Sequence, residues 1–206
     1  MRNILIVLTF VCCNVLIAGT ALATPIHTDQ HNYGRLSYNP LTSGSCGTIA
    51  TDFMLVRSGS CTAVTDAFSL TGFNPTTTDY IELNVTFAAT NNRYCLRGDC
   101  LAEQWQLYIL NASGDTLGKF DLSQSSGVMQ QRVLLNRLTL TTFTDLLNQD
   151  NLWFSVNESS GNNHSFRLIS SQLTVYAMPT AIPQPATLAL LTLGLAGFGL
   201  RRKTQQ

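Results

Sequence analysis

The chain has 206 residues, 45% of them hydrophobic, with 12 basic and 12 acidic side chains and six cysteines. All 12 acids lie between Asp29 and Glu158, while Arg2, Arg201, Arg202 and Lys203 sit at the ends, so the body between keeps eight bases and a net charge of −4. A mildly acidic body lacks the basic footprint of a nucleic-acid binder, and its length suits one domain with its own core.

The first element is a leader. Arg2 supplies a short positive region, Ile4 to Ile17 an apolar run, and Ala21-Leu22-Ala23 a small-residue cleavage site, so residues 1–23 read as a signal peptide and Thr24 as the first mature residue. Cys12 and Cys13 fall inside the apolar run and leave with it.

Residues 24–181 read as a single all-β domain. Strict alternation marks half-buried strands: Ile81, Leu83, Val85 and Phe87 face one way between Tyr80 and Phe87, as do Trp105, Leu107 and Ile109, then Leu152, Phe154 and Val156, then Leu173 and Val175. Asn111–Asp115 and Ser160–Asn163 read as hairpin turns. Parity slips at Asn136-Arg137 and Ser170-Ser171 predict breaks or bulges. Only Thr142 to Gln149, with Phe143, Leu146 and Leu147 at helical spacing, reads as a short helix. Eight to ten strands with one small helix predict an antiparallel β-sandwich of jelly-roll type, with a flattened barrel as the alternative.

Four cysteines remain after export, Cys46, Cys61, Cys95 and Cys100, and an even number in an exported domain reads as disulfides. Three connectivities are open; the local pairing, Cys46 with Cys61 and Cys95 with Cys100, is the simplest. Zinc is disfavoured, because paired Cys-x-x-Cys knuckles are missing.

Several residues invite a functional reading. Arg97-Gly98-Asp99 reads as a tight turn. His27, Asp29 and His31 share one face of an extended segment and would suit a metal, but they lie close to the mature terminus, where a solvated tail is expected. His164 has no nucleophile elbow or acid beside it, so no catalytic residue, metal ligand or cofactor site is assigned. Asn84, Asn111, Asn157 and Asn163 open glycosylation sequons that the Thr/Ser/Asn-rich composition explains. Asn111–Asp115 offers too few oxygen ligands for a structural calcium. Trp105 is inward and reads as core. Alternation turns Trp153, Tyr80, Tyr108 and Tyr176 outward, where Trp153, Tyr80 and Tyr108 could stack on sugar or serve as ordinary cross-strand partners.

The last stretch, residues 182–206, reads as a sorting tail. Pro183-Gln184-Pro185 precedes 15 uncharged residues, 186–200, and Arg201-Arg202-Lys203 closes the run. Fifteen apolar residues are short for a bilayer, which tilt or local thinning accommodates, and the three cations hold that end in the cytoplasm. A GPI signal is disfavoured, since such tails end in the apolar run. The Pro-x-Pro box, short apolar helix and basic cluster resemble the PEP-CTERM sorting domain, with Gln184 where that family usually has Glu. The resemblance covers about a tenth of the chain. It implies export in a Gram-negative bacterium, transient anchoring in the inner membrane, and processing by an exosortase-like protease.

The expectation is therefore an exported, non-enzymatic protein of the cell surface or exopolysaccharide matrix. A carbohydrate-binding module is the alternative. A secreted hydrolase is weaker, because glycosidases need two positioned carboxylates and no acidic pair stands out.

Overall fold

The computed structural model describes residues 23–35, 47–57, 64–90, 93–96, 99–159 and 165–179. In chain order they form β1 (Pro25–Asn32), β2 (Gly47–Ile49), β3 (Met54–Arg57), β4 (Val64–Ser69), β5 (Thr78–Ala88), β6 (Arg93–Leu96), β7 (Asp99–Ala102), β8 (Trp105–Leu110), β9 (Thr116–Asp121), β10 (Val128–Leu135), α1 (Phe143–Leu147), β11 (Asn151–Glu158) and β12 (Ser165–Ala177). Twelve strands exceed the expected eight to ten. The surplus comes from β2, β6 and β7, which are too short to alternate, and from β1, which carries one large apolar residue in eight.

Every pairing is antiparallel. One six-stranded sheet runs β10-β5-β12-β3-β2, with β1 on the same flank of β12 as β3; a four-stranded sheet runs β4-β11-β8-β9; β6 and β7 form a separate hairpin. Successive strands β3, β4 and β5 alternate between the two main sheets, and β9, β10, β11 and β12 do so again. That wrapping is the jelly roll that the alternating segments predicted. β11 and β12 lie in different sheets, and Ser160–Asn163, the turn expected between them, lie outside the described residues. Alternation reports which face a residue takes, not which strand it pairs with.

The core lies between the sheets. Ile81, Leu83, Val85 and Phe87 of β5 meet Leu107 and Ile109 of β8 and Leu152, Phe154 and Val156 of β11, all at 0% exposure. Each such side chain contributes about 1.5–3 kcal/mol by leaving water. The helix α1 adds Phe143, Leu146 and Leu147, the residues its spacing predicted. Gly118 of β9 lets Leu140 close against the sheet, since a Cβ there would stand 2.8 Å from Leu140 Cδ1. The slip at Ser170-Ser171 is a real irregularity: the β5–β12 register shifts between Leu168 and Ser170. Upstream, Phe166 and Leu168 point inward; downstream, Ser171, Leu173 and Val175 do. The slip at Asn136 is a strand end, where β10 gives way to a turn closed by the Leu140 amide on the Asn136 carbonyl at 2.9 Å.

Candidate functional site

The bulge in β12 delivers Ser171 to a polar cluster inside the sandwich. Asp66 occupies the inward position of β4 between Val64 and Phe68 and is fully buried. Its Oδ2 accepts the Tyr33 hydroxyl at 2.8 Å and lies 2.8 Å from His31 Nδ1, while its Oδ1 accepts the Ala67 amide at 2.8 Å. Because the Tyr33 proton is committed to Asp66, Ser171 donates to the Tyr33 oxygen, 2.6 Å away. The His31 ring stacks on Phe68 at 4.2 Å. Buried polar groups persist only when so bonded, and this set ties β1 and β12 of one sheet to β4 of the other.

This arrangement corrects the reading of the N-terminal segment. Residues 25–32 form a strand paired along β12, and His31 is 9% exposed rather than part of a solvated tail. Asp29 Oδ2 stands 3.9 Å from His31 Nε2, but His27 turns away to Phe73, with ring centroids 5.3 Å apart. Among the described residues no group of His, Cys, Asp or Glu suits a metal ion. A Ser-His-Asp relay needs the serine on the imidazole nitrogen opposite the carboxylate; Ser171 meets the tyrosine instead. The cluster joins β1 and β12 to β4. Sequence reasoning passed over Asp66, although a carboxylate at an inward parity position between Val64 and Phe68 was a visible signal.

The outward aromatics divide between two faces. Trp153, half-buried on the outer side of the four-stranded sheet, lies opposite Ala67 and Leu110. Two residues along on the same face, the Tyr108 hydroxyl donates to Gln106 Oε1 at 2.8 Å, Gln106 Nε2 donates to Asp121 Oδ1 at 2.8 Å, and Lys119 Nζ sits 5.8 Å from the Tyr108 ring centre. Tyr80 is on the outer side of the six-stranded sheet, stacked on Tyr176 at 4.3 Å. Beside it Arg132 Nε meets Glu82 Oε2 at 2.6 Å, and Asn84 Nδ2 donates to Glu82 Oε1 at 2.8 Å. Burial, and after it the Tyr176 phenol, raises the Tyr80 hydroxyl above its ordinary value of 10.0. The structure thus brings Trp153 and Tyr108 to one face and leaves Tyr80 on another sheet.

Trp105 is core, 2% exposed, with its ring 4.4 Å from Phe166 and its indole N–H donated to the buried Glu103. Asp115 Oδ2 accepts Asn111 Nδ2 at 2.9 Å, so that carboxylate is engaged within its own turn. Cys95 and Cys100 are directly opposite each other across β6 and β7. Cys46, Cys61, Arg97, Gly98 and His164 lie outside the described residues, as do the leader and the tail residues Pro183, Gln184, Pro185, Arg201, Arg202 and Lys203. Among the described residues no helix is long and apolar enough to cross a membrane.

No curated protein matches the chain. A solved structure described as "xylan-binding module CBM15" is 11% identical, covers 76% of this chain and 97% of its own, and superposes with a TM-score of 0.41. Another, described under "CBM4 structure and function", is 12% identical, covers 71% of this chain and 89% of its own, with a TM-score of 0.34. A sequence-family match falls on the tail. Residues 181–203 carry the PEP-CTERM protein-sorting motif, and with it the mark of an exported protein sorted through the membrane to the cell surface.

Proposed function

We propose that this is a non-enzymatic protein of the cell surface or exopolysaccharide matrix of a Gram-negative bacterium. A leader at residues 1–23 starts its export, and an apolar helix at residues 186–200 anchors it transiently in the inner membrane until an exosortase-like protease removes the tail. The observation that carries this reading is the sorting motif at residues 181–203. Within the buried Asp66 cluster the Ser171 hydroxyl meets Tyr33 rather than the His31 ring, which supports the non-enzymatic part. The intact mass of the extracellular protein tests the proposal: the expected form begins at Thr24 and ends before Leu188. Full-length protein reaching Gln206 in the outer fraction overturns it.

A second reading, a polysaccharide-binding sandwich, is favoured by the outer face of the four-stranded sheet. Trp153 lies opposite Ala67 and Leu110 on that face, and Tyr108, Gln106, Asp121 and Lys119 add an aromatic ring, donors and acceptors further along it. Retention of the wild-type protein on the exopolysaccharide of the producing cell, lost in Trp153→Ala, is the expected result. Equal retention of the two proteins overturns it.

A further inference from the structure

We propose that the outer face of the six-stranded sheet is a binding site for an uncharged polysaccharide, separate from the Trp153 face and standing whether or not that face binds. Register builds it. Arg132 of β10, Asn84 of β5, Gln172 of β12 and Gln30 of β1 are directly opposite one another, strand to strand, and form one row of long polar side chains. At a strand spacing of about 4.7–4.9 Å the row runs roughly 14 Å. The rows on either side carry hydroxyls, carboxamides, the Glu82 carboxylate and one apolar side chain, Leu134. Tyr80 and Tyr176, stacked at 4.3 Å, lie one row beyond Glu82 and supply an apolar contact for a sugar ring.

The polar side chains orient one another. Gln172 Nε2 donates to Gln30 Oε1 at 3.4 Å, and Gln30 Nε2 to Asn32 Oδ1 at 2.7 Å. Asn84 Nδ2 and Arg132 Nε both reach Glu82, at 2.8 and 2.6 Å. Asparagine is depleted in strands, yet Asn84 sits mid-strand in β5, which is paired on both sides. A carboxamide has two N–H donors and a carbonyl acceptor, and the bonds just given use only part of that capacity. Sugar hydroxyls also donate and accept, so a row of carboxamides suits a glycan. Charge selects an uncharged one. Histidines aside, β10, β5, β12 and β1 carry five charged residues. Arg132 and Glu82 are paired; Asp79 by Tyr80 and Arg167 at the other end offset each other; Asp29 turns to the opposite side, toward His31. Arg57 of β3 stands beyond Arg167, opposite Ser165. A protein partner would need the apolar, aromatic centre of a protein interface, and the three rows offer Leu134 alone.

The test runs the exported protein in native gels holding an uncharged polymer (hydroxyethylcellulose, arabinoxylan or galactomannan), anionic alginate, or no polymer. Wild type is compared with Gln172→Ala, Gln30→Ala and Trp153→Ala. The expected result is retardation of wild type by at least one uncharged polymer and not by alginate. Binding should be roughly three- to tenfold weaker in Gln172→Ala and Gln30→Ala, the worth of one neutral hydrogen bond. Gln30 is exposed on β1, so Gln30→Ala decides the outcome if Gln172→Ala melts early. Retardation by no uncharged polymer, by alginate alone, or equally for wild type and both glutamine variants overturns the site. Loss in Trp153→Ala alone upholds the Trp153 face and overturns this one; loss in the glutamine variants alone upholds this one without the Trp153 face. Self-association without polymer that Gln172→Ala abolishes assigns the face to a second copy of the chain and overturns the proposal.

Discussion

His31 of β1 and Asp66 of β4 meet across the sandwich, Nδ1 to Oδ2, at 2.8 Å. The contact joins the first strand to the opposite sheet, with Tyr33 and Ser171 completing the chain of bonds. Without it β1 would rest on its ladder with β12, because its own side chains are mostly exposed.

Asp66→Ala is expected to cost about 3–5 kcal/mol, as removing one partner of a buried ionic or hydrogen-bonded set does. The substitution removes the carboxylate that the Tyr33 hydroxyl and the His31 ring share. Chemical denaturation of Asp66→Ala, His31→Ala and the double variant measures the coupling, expected at about 0.5–3 kcal/mol. Additive losses would mean that the two residues act independently.

The two tryptophans should separate cleanly. Trp105 is 2% exposed, packs on Phe166 and bonds Glu103, so Trp105→Ala is expected to cost about 3–5 kcal/mol. Trp153 is half-buried on an outer face, and Trp153→Ala is expected to cost about 1 kcal/mol, the ordinary figure for a point change. Thermal melting of both variants checks the contrast. Equal losses would place Trp153 in the packing of the sandwich.

Much of the sandwich was legible because alternation is a direct record of burial. Phe87 and Val85 in β5, Leu107 in β8 and Phe154 in β11 face inward as their parity required, and Ser170-Ser171 marked the bulge. Pairing was not legible: nothing in Val156 or Phe166 says that β11 and β12 belong to different sheets. Strand β1 was missed because Thr28, Asp29, Gln30 and Asn32 present no apolar face, and its place is set by β12 and by His31. For the same reason Trp153, Tyr108 and Tyr80 were legible as outward residues but not as members of two separate faces.

The Tyr80 hydroxyl adds a pH dependence whose sign follows from its raised pKa. A group held protonated by the fold stabilises it fully below the unfolded pKa, here 10.0, and that stability is lost as pH rises through the higher folded value. Wild type should therefore lose melting temperature faster than Tyr80→Phe as the pH rises above about 10, where an unperturbed tyrosine titrates. Parallel curves for the two proteins would show that the stacked pair with Tyr176 ionises without cost to the fold.

The β6–β7 register bears on the expected cysteine pairing. Residues directly opposite in an antiparallel pair have Cα atoms about 4.5–5.5 Å apart, within the range of about 4.4–6.8 Å that a disulfide accepts, and Cys95 stands directly opposite Cys100. Non-reducing peptide mapping of the exported protein is expected to recover Cys95 linked to Cys100, and Cys46 linked to Cys61. A bridge closing a short loop contributes about 2–3 kcal/mol by restricting the unfolded chain. Reduction should accordingly lower the melting temperature while leaving a folded protein, because the core between β5, β8, β11 and β12 is formed by other residues. Free thiols at 95 and 100, or a crossed pairing of either with Cys46 or Cys61, would show that the β6–β7 register does not direct oxidation.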